Sequence, residues 1–457
     1  MKKILLMTLA LAVTAGAVWA QVVDTVWVRA YNGASNSNDF AHAVSVDSSG
    51  FIYVAGSTYT GSNFDIIVIK YKLNGDTVWT KTYNGPSNGT DYAFDCILDS
   101  VGNLYVTGIS NGTAVALKYN SNTGDTIWTK QYNCYGEARG CFIDAAGYLF
   151  IVGGYTLTNG DYFVMKCYSI NGDTIWTRTY DTGGEDGAWG CAVDSLYLYV
   201  TGVAPNMTYS GIIKYDMSGN QLWLKQYPPS YSYNCTLDKN GNLYALVKDG
   251  LLKCQSTTGD TIWYKNFNFE YTYGIDITNR GKLCITGTRN DTIYTIIVDT
   301  LTGDTIGSHL FYGGPVAEGG IGYACKATSD GYLYVAGKIS NGVNDDLILI
   351  KYKQSINPPH LISPSNNSAF LVNNPTFIWN SVDSAVTYRL QISPFNSFSS
   401  LTINTTISDT TFTPTSLPNN WYFWRVKAYS STDSSEWSEV RSFSVATSTV
   451  GIPALTF

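Results

Sequence analysis

The chain has 457 residues, of which only 14% are charged, with a net charge of −7. An acidic, weakly charged chain carries no basic footprint to neutralise phosphates, which excludes nucleic acid and anionic membrane surfaces as partners. Hydrophobic content of 44% is ordinary for a folded chain and excludes wholesale disorder.

The chain opens with Lys2 and Lys3, an apolar run from Ile4 to Val18, and small residues at Val18-Trp19-Ala20. That pattern predicts a secretory signal peptide over residues 1–20. No later apolar run is long enough to span a membrane as a helix. No Cys precedes Cys96, so no lipid-anchored N-terminus is expected.

From there a motif recurs. Asp24-Thr-Val-Trp27, Gly75-Asp-Thr-Val-Trp79, Gly124-Asp-Thr-Ile-Trp128 and Gly172-Asp-Thr-Ile-Trp176 are the cleanest copies. Gly219-Asn-Gln-Leu-Trp223, Gly259-Asp-Thr-Ile-Trp263 and Gly303-Asp-Thr-Ile-Gly307 complete seven. The mean period is about 47 residues, the length of a four-strand propeller blade.

Within each period the order repeats. A short apolar strand such as Ala93–Leu98 leads to an Asp-x-x-Gly turn, as at Asp47–Gly50 and Asp99–Gly102. Asp bonds nearby backbone N–H groups in such a turn, and Gly supplies a positive φ. A Tyr/Val strand follows, then a strand ending in Lys, then the Trp strand. There are seven copies of the first three strands and seven Trp-position strands. The first Trp strand, Asp24 to Tyr31, precedes any triplet, and the last triplet, ending at Tyr352, has no Trp strand after it. The N-terminal strand is therefore expected to pair beside Tyr352 and close a ring. Gly307, the copy without Trp, is expected to mark its least regular point.

Asp-x-x-Gly-x-Leu-Tyr-Val-x-Gly, then Asp-x-x-Val-x-Lys (Asp65 to Lys70, Asp161 to Lys166) and Gly-Asp-x-x-Trp, resembles the bacterial seven-bladed β-propeller repeat proteins. The Gly-x-x-x-Trp spacing is similar to the tryptophan-docking motif of quinoprotein-type propellers. The resemblance covers about residues 22–353 and implies a fold, not an activity. Residues 354–359 read as a linker. Residues 360–446 resemble a fibronectin type III module, through Phe377-Ile-Trp379, Ala385 to Gln391, Leu417, Tyr422 to Ala428 and Trp437-Ser438. Residues 447–457 form a short tail. The fold class is thus all-β: a seven-bladed propeller followed by a sandwich.

Nine Cys in an exported chain would ordinarily suggest disulfides. Here Cys96, Cys141, Cys191, Cys235 and Cys325 occupy one repeat position, filled by Val44 and Ile275 in the other copies. A site shared with Val and Ile is a small apolar core site, so buried free thiols are expected. Cys134 alone falls in a connecting loop. The repeated Lys (70, 118, 166, 214, 253, 351) are expected to pair with turn Asp residues or to face solvent.

No catalytic constellation is visible. His42, His309 and His360 share neither neighbourhood nor repeat register, and there is no Gly-x-Ser-x-Gly, Walker A, dinucleotide fingerprint or HExxH. No cofactor or metal is expected. Function is assigned instead to the variable segments joining each Trp strand to the next repeat (32–39, 84–91, 133–139, 181–186, 228–233, 268–271, 313–320). Asp39, Asp91, Arg139, Asp186, Tyr231 and Tyr271 lie there. Aromatic faces beside acids suit a glycan or an extracellular protein as ligand. The expectation is an exported, monomeric, non-catalytic binding or adhesion protein, extracellular, surface-bound or periplasmic. The alternatives are an enzyme (lyase, hydrolase or quinoprotein-like oxidoreductase) with an axial site, which requires convergent polar groups of perturbed pKa, and a structural spacer of a surface layer.

Overall fold

The structure is a computed structural model. It describes residues 23–155, 162–181, 186–204, 209–227, 232–278, 280–312, 319–354, 356–382, 385–430 and 434–447. The expected leader and residues 448–457 lie outside them. Apart from a short turn at Pro86–Asn88, every described element is a β-strand.

The repeat region consists of antiparallel sheets stacked side by side. The order read from the sequence appears directly in Asp39–Val46, Ile52–Tyr59, Phe64–Tyr71 and Thr77–Tyr83, which pair consecutively. The Tyr/Val strand Ile52–Tyr59 is buried along nearly its whole length. A strand covered on both faces reads as a continuous apolar run without alternation, which is why that segment looked so uniform. Five such sheets have four strands. A sixth has seven strands, because Thr126–Ile143 continues unbroken from one Trp strand into the next inner strand. The segment around residues 133–139, expected as a loop, is therefore strand. Tyr135 is in register with Thr113, and the Gly136 N–H donates to the Gly112 carbonyl at 3.1 Å. Cys134 accordingly lies in a strand, half-buried against a core cluster.

No sheet closes on itself. The inner strands pack against one another in sequence: Asp39–Val46 on Asp91–Leu98, that on Thr126–Ile143, then Gly187–Val193, Ser232–Leu237, Tyr271–Ile277 and Ile321–Ala327, which packs back on Asp39–Val46. Strand Val23–Tyr31 pairs antiparallel with Asp345–Gln354, with Thr25 opposite Tyr352 and Tyr31 opposite Leu347. The strand count had required this pairing between distant parts of the chain.

Neighbouring sheets are joined by a shared-acceptor motif. Lys70 Nζ and Trp79 Nε1 both donate to the Ser121 carbonyl, at 2.9 and 3.2 Å, in the turn of the next sheet. Lys118 and Trp128 do the same at Ser169 between the two halves of the seven-stranded sheet, Lys166 and Trp176 at Met217, and Lys351 and Trp27 at Leu73. Lys214 donates to Ser256, and Lys253 to Thr300. These lysines therefore do not face solvent. Lys70 is 3% exposed and stands over Phe51 and Tyr53, 4.1 and 5.1 Å from the ring centroids. Burial lowers its pKa, while Asp47 opposes that shift. The turn Asp bonds the neighbouring phenol instead: Tyr53 Oη donates to Asp47 Oδ2 at 2.9 Å. Asp47 also accepts from the Ser49 and Phe51 N–H groups, and Gly50 takes φ +83°, as the turn chemistry requires.

The same motif accounts for Gly307. Its sheet has Ile297 opposite Gly307, in the register that Lys118 and Trp128 occupy elsewhere. The next sheet is the one assembled from Val23–Tyr31 and Asp345–Gln354, so no turn joins its last two strands. With no turn carbonyl to reach, neither Lys nor Trp is needed. The ladder there has one register shift, between Ile297 and Val298, the same shift found beside Trp79 and Trp128, so Gly307 is no less regular than its counterparts.

All nine cysteines are free, and all but Cys134 are buried. The C-terminal unit has two sheets. One contains Leu361–Ser363, Phe377–Trp379 and Thr411–Phe412; the other contains Ser368–Phe370, Arg441–Val445, Asn420–Tyr429, Thr387–Ser393 and Ile403–Ile407. Trp379, Leu390, Tyr422, Trp424 and Phe443 share one core between them. Tyr422 Oη donates to the Pro418 carbonyl at 2.9 Å, a local tie four residues back along the chain.

Candidate functional site: the channel mouth

Each inner strand of the repeat region carries one β-bulge. Ala41 pairs with Gly56 and Ala43 with Ala55, leaving His42 as the extra residue. The same shift leaves out Phe94, Arg139, Trp189, Tyr273 and Tyr323 in their strands, and falls at Tyr233-Asn234 in the strand Ser232–Leu237. A bulge re-aims a side chain without disturbing the ladder on either side. Its cost is a displaced carbonyl, and six of the seven partner strands accommodate that carbonyl with glycine, the strand Asn242–Val247 carrying Val247 there instead. A Cβ on Gly56 would lie 1.8 Å from the Phe40 carbonyl oxygen, and one on Gly108 1.9 Å from that of Tyr92. The glycine closing each Tyr-Val-x-Gly run is thus the sequence signature of the bulge.

The bulged side chains meet in a closed circuit. Ring centroids of His42 and Phe94 are 5.8 Å apart. The Arg139 guanidinium lies 4.9 Å from the Phe94 centroid and 4.2 Å from that of Trp189. Trp189 to Tyr233 is 5.1 Å, Tyr233 to Tyr273 5.1 Å, Tyr273 to Tyr323 5.3 Å, and Tyr323 back to His42 4.9 Å. Phe40, Phe64 and Tyr92 extend the aromatic surface outward. These seven residues, with Asp95 and Asn234, line a cavity of about 200 Å³. Beneath it, sharing Asp95 and Asn234, lies a second cavity of about 320 Å³ that reaches Thr236, Asp276 and Lys326.

Polar groups in the channel are largely held by backbone. His42 Nδ1 donates to the Ala93 carbonyl at 2.8 Å, and burial lowers its pKa to about 4, so the ring is neutral near pH 7. Asp95 accepts the Cys96 and Cys141 N–H groups, both at 2.8 Å, yet burial raises its pKa to about 6. Arg139 is ion-paired with Glu137. Lower down, Lys326 lies 3.2 Å from Asp276, which raises the lysine's pKa and also accepts the Ala327 N–H. Burial pushes the Tyr273 phenol up to about 12. Among the described residues no group of three or more His, Cys, Asp or Glu gathers as a metal site, and no helix is long and apolar enough to cross a membrane.

The residues expected on the loop face divide. Asp39 and Asp91 are fully buried, where exposed carboxylates were expected. Asp39 accepts the Gly33 N–H at 2.6 Å and Asp91 the Gly85 N–H at 2.7 Å, so both carboxylates pin the segment that enters their strand. Asp186 is 4% exposed at the corresponding position. Arg139 and Tyr271 do reach the mouth, Tyr271 stacking on Tyr273 at 6.2 Å. Tyr231 lies outside the described residues. The bulged positions His42, Phe94, Trp189 and Tyr323 were not singled out from the sequence. The available signal was register: each stands two residues before the shared Cys/Val/Ile position.

Residues 27–65 match the family model of a β-propeller repeat. No curated protein matches the chain. Among solved structures, the WD40 β-propeller domain of Doa1 superposes with a TM-score of 0.51 at 12% identity, over 72% of this chain and 96% of that one. The repeat region has a β-propeller fold. Virginiamycin B lyase from Staphylococcus aureus gives a TM-score of 0.49 at 11% identity, over 72% of this chain and 99% of that one. The extracellular domain of a putative one-component system from B. thetaiotaomicron gives 0.46 at 13% identity over 92% of this chain. The chain spans 58% of that relative's length. At such identities the likeness concerns the propeller fold alone.

Proposed function

We propose that the chain is an exported, monomeric, non-catalytic binding protein. It is a seven-bladed propeller closed by its N-terminal strand and followed by a fibronectin type III-like module, acting outside the cytoplasm. Its ligand, a glycan or an extracellular protein, is taken at the mouth of the channel. The observation that carries this reading is the bulge set: seven inner strands each spend a bulge, six of them with a matching glycine close approach, to aim one side chain at one cavity. A scaffold needs no such convergence.

One observation favours a second reading, an enzyme with an axial site. His42 and Asp95 line the same cavity with pKa values displaced in opposite directions. Both, however, already hold backbone partners, which suits a fixed wall better than a proton-transfer pair. The test is binding of the full chain to glycan and extracellular-protein arrays, alongside Trp189→Ala and a variant of the opposite face, Ile170→Asp. Binding is expected to be lost in Trp189→Ala alone. Loss in Ile170→Asp alone would overturn the assignment to the mouth.

A further inference from the structure

We infer that the mouth seats a single uncharged pyranose ring. This rests on the mouth being the binding site and specifies the class of ligand it takes.

Charge decides first. The cation within the aromatic circuit, Arg139, is already stacked on Phe94 and Trp189 and ion-paired with Glu137. The seat that an aromatic cage offers a ligand ammonium is thus filled by the protein's own guanidinium. An anionic ligand would have to displace Glu137 and leave that carboxylate unpaired beside the channel, at a cost of several-fold to many-fold in affinity. His42 is neutral and adds no charge. A ligand without net charge leaves every existing pair intact.

Shape and polarity decide next. The cavity of about 200 Å³ is walled by flat rings, which accept the C–H face of a sugar or the face of an aromatic side chain. The same wall is formed by Tyr233, Tyr273, Tyr323, Asn234, Asp95 and Arg139, residues that each carry a polar group. An apolar side chain would strip water from these groups and return nothing. Hydroxyls of a pyranose both donate to Asp95 and accept from Arg139, so they replace the lost water on both kinds of group.

The experiment is calorimetric titration of the full chain with the methyl glycosides of glucose, galactose, mannose, xylose and N-acetylglucosamine. Glucuronate, tetramethylammonium and N-acetyl-tyrosine amide serve as contrasting probes. At least one neutral glycoside is expected to bind, at least tenfold more weakly to Trp189→Ala and to Tyr233→Ala, with glucuronate no tighter than the glucoside. Tyr273→Phe keeps the ring and removes one hydroxyl; it is expected to weaken binding several-fold, which guards against a folding defect in the alanine variants. Trp189-dependent binding of tetramethylammonium or the tyrosine amide, with no glycoside bound, would overturn the sugar assignment and leave the site standing. Glycoside binding unchanged by all three variants would overturn the site itself. No binding by any probe overturns the inference.

Discussion

Two titrating groups of the channel oppose one another, and removing either should unmask the other. Burial lowers the His42 pKa from 6.5 to about 4 and raises that of Asp95 from 3.8 to about 6. For His42, the unfolded chain binds the extra proton between these values. Its contribution to stability is therefore complete above pH 6.5 and lost as pH falls toward 4. For Asp95, the folded chain binds the extra proton, so its contribution is complete below pH 3.8 and lost as pH rises through 6. At 1.36 kcal/mol per pH unit each amounts to about 3 kcal/mol, with opposite sign over the same window. Together their two contributions nearly cancel between pH 4 and 6. Asp95→Asn should gain about 3 kcal/mol relative to wild type between pH 4 and 6, because only His42 then titrates. His42→Phe, which preserves an aromatic in the circuit, should lose about 3 kcal/mol over the same range. Urea denaturation followed by tryptophan fluorescence at half-unit pH steps reads both slopes. Constant offsets from lost hydrogen bonds do not affect a slope. Profiles of both variants running parallel to wild type would refute the opposition.

Other outcomes follow from the scaffold. Gly56→Ala places a Cβ 1.8 Å from a backbone oxygen and should cost more than about 3 kcal/mol or prevent folding, while Gly112→Ala, at φ +78° with open space around it, should cost about 1 kcal/mol; thermal melts compare them. Trp79→Ala should destabilise by about 3–5 kcal/mol. Lys70→Met should stay within about 1 kcal/mol of wild type, because Ser121 keeps its indole donor and a buried ammonium is removed. Thiol titration with a disulfide reagent should find almost no reactive group in the native chain and nine in denaturant, with Cys134 the first to react.

Periodic features were legible in the sequence. Seven agreeing copies outvote local noise, so strand order and the pairing of Thr25 with Tyr352 could be derived by counting. Cys96 and its equivalents could be placed as core residues because Val44 and Ile275 share their position. What failed to read was whatever departs from the average. Asp39 and Asp91 look like surface acids at a strand start, and only their distance from Gly33 and Gly85 hints that they cap a connection. Lys70 reads as paired with a turn Asp or solvent-facing, since no pattern in one chain reveals that its ammonium lies over Phe51 and Tyr53. The mouth was hidden for a related reason. His42, Phe94, Arg139 and Trp189 share no chemistry, so an equivalent position held by them resembles an unconstrained one.

That absence of shared chemistry has a meaning for how such a chain can change. A bulged residue lies outside the pairing ladder, so replacing it removes no backbone hydrogen bond and leaves the partner glycine still required. The channel mouth is therefore a set of positions that can be rewritten one at a time, while the cysteines of the same inner strands and the tyrosines and lysines of the next two strands keep the stack assembled. Selectivity and stability are carried by different residues of the same sheets, and a new ligand can be reached by successive single substitutions without passing through an unfolded intermediate sequence.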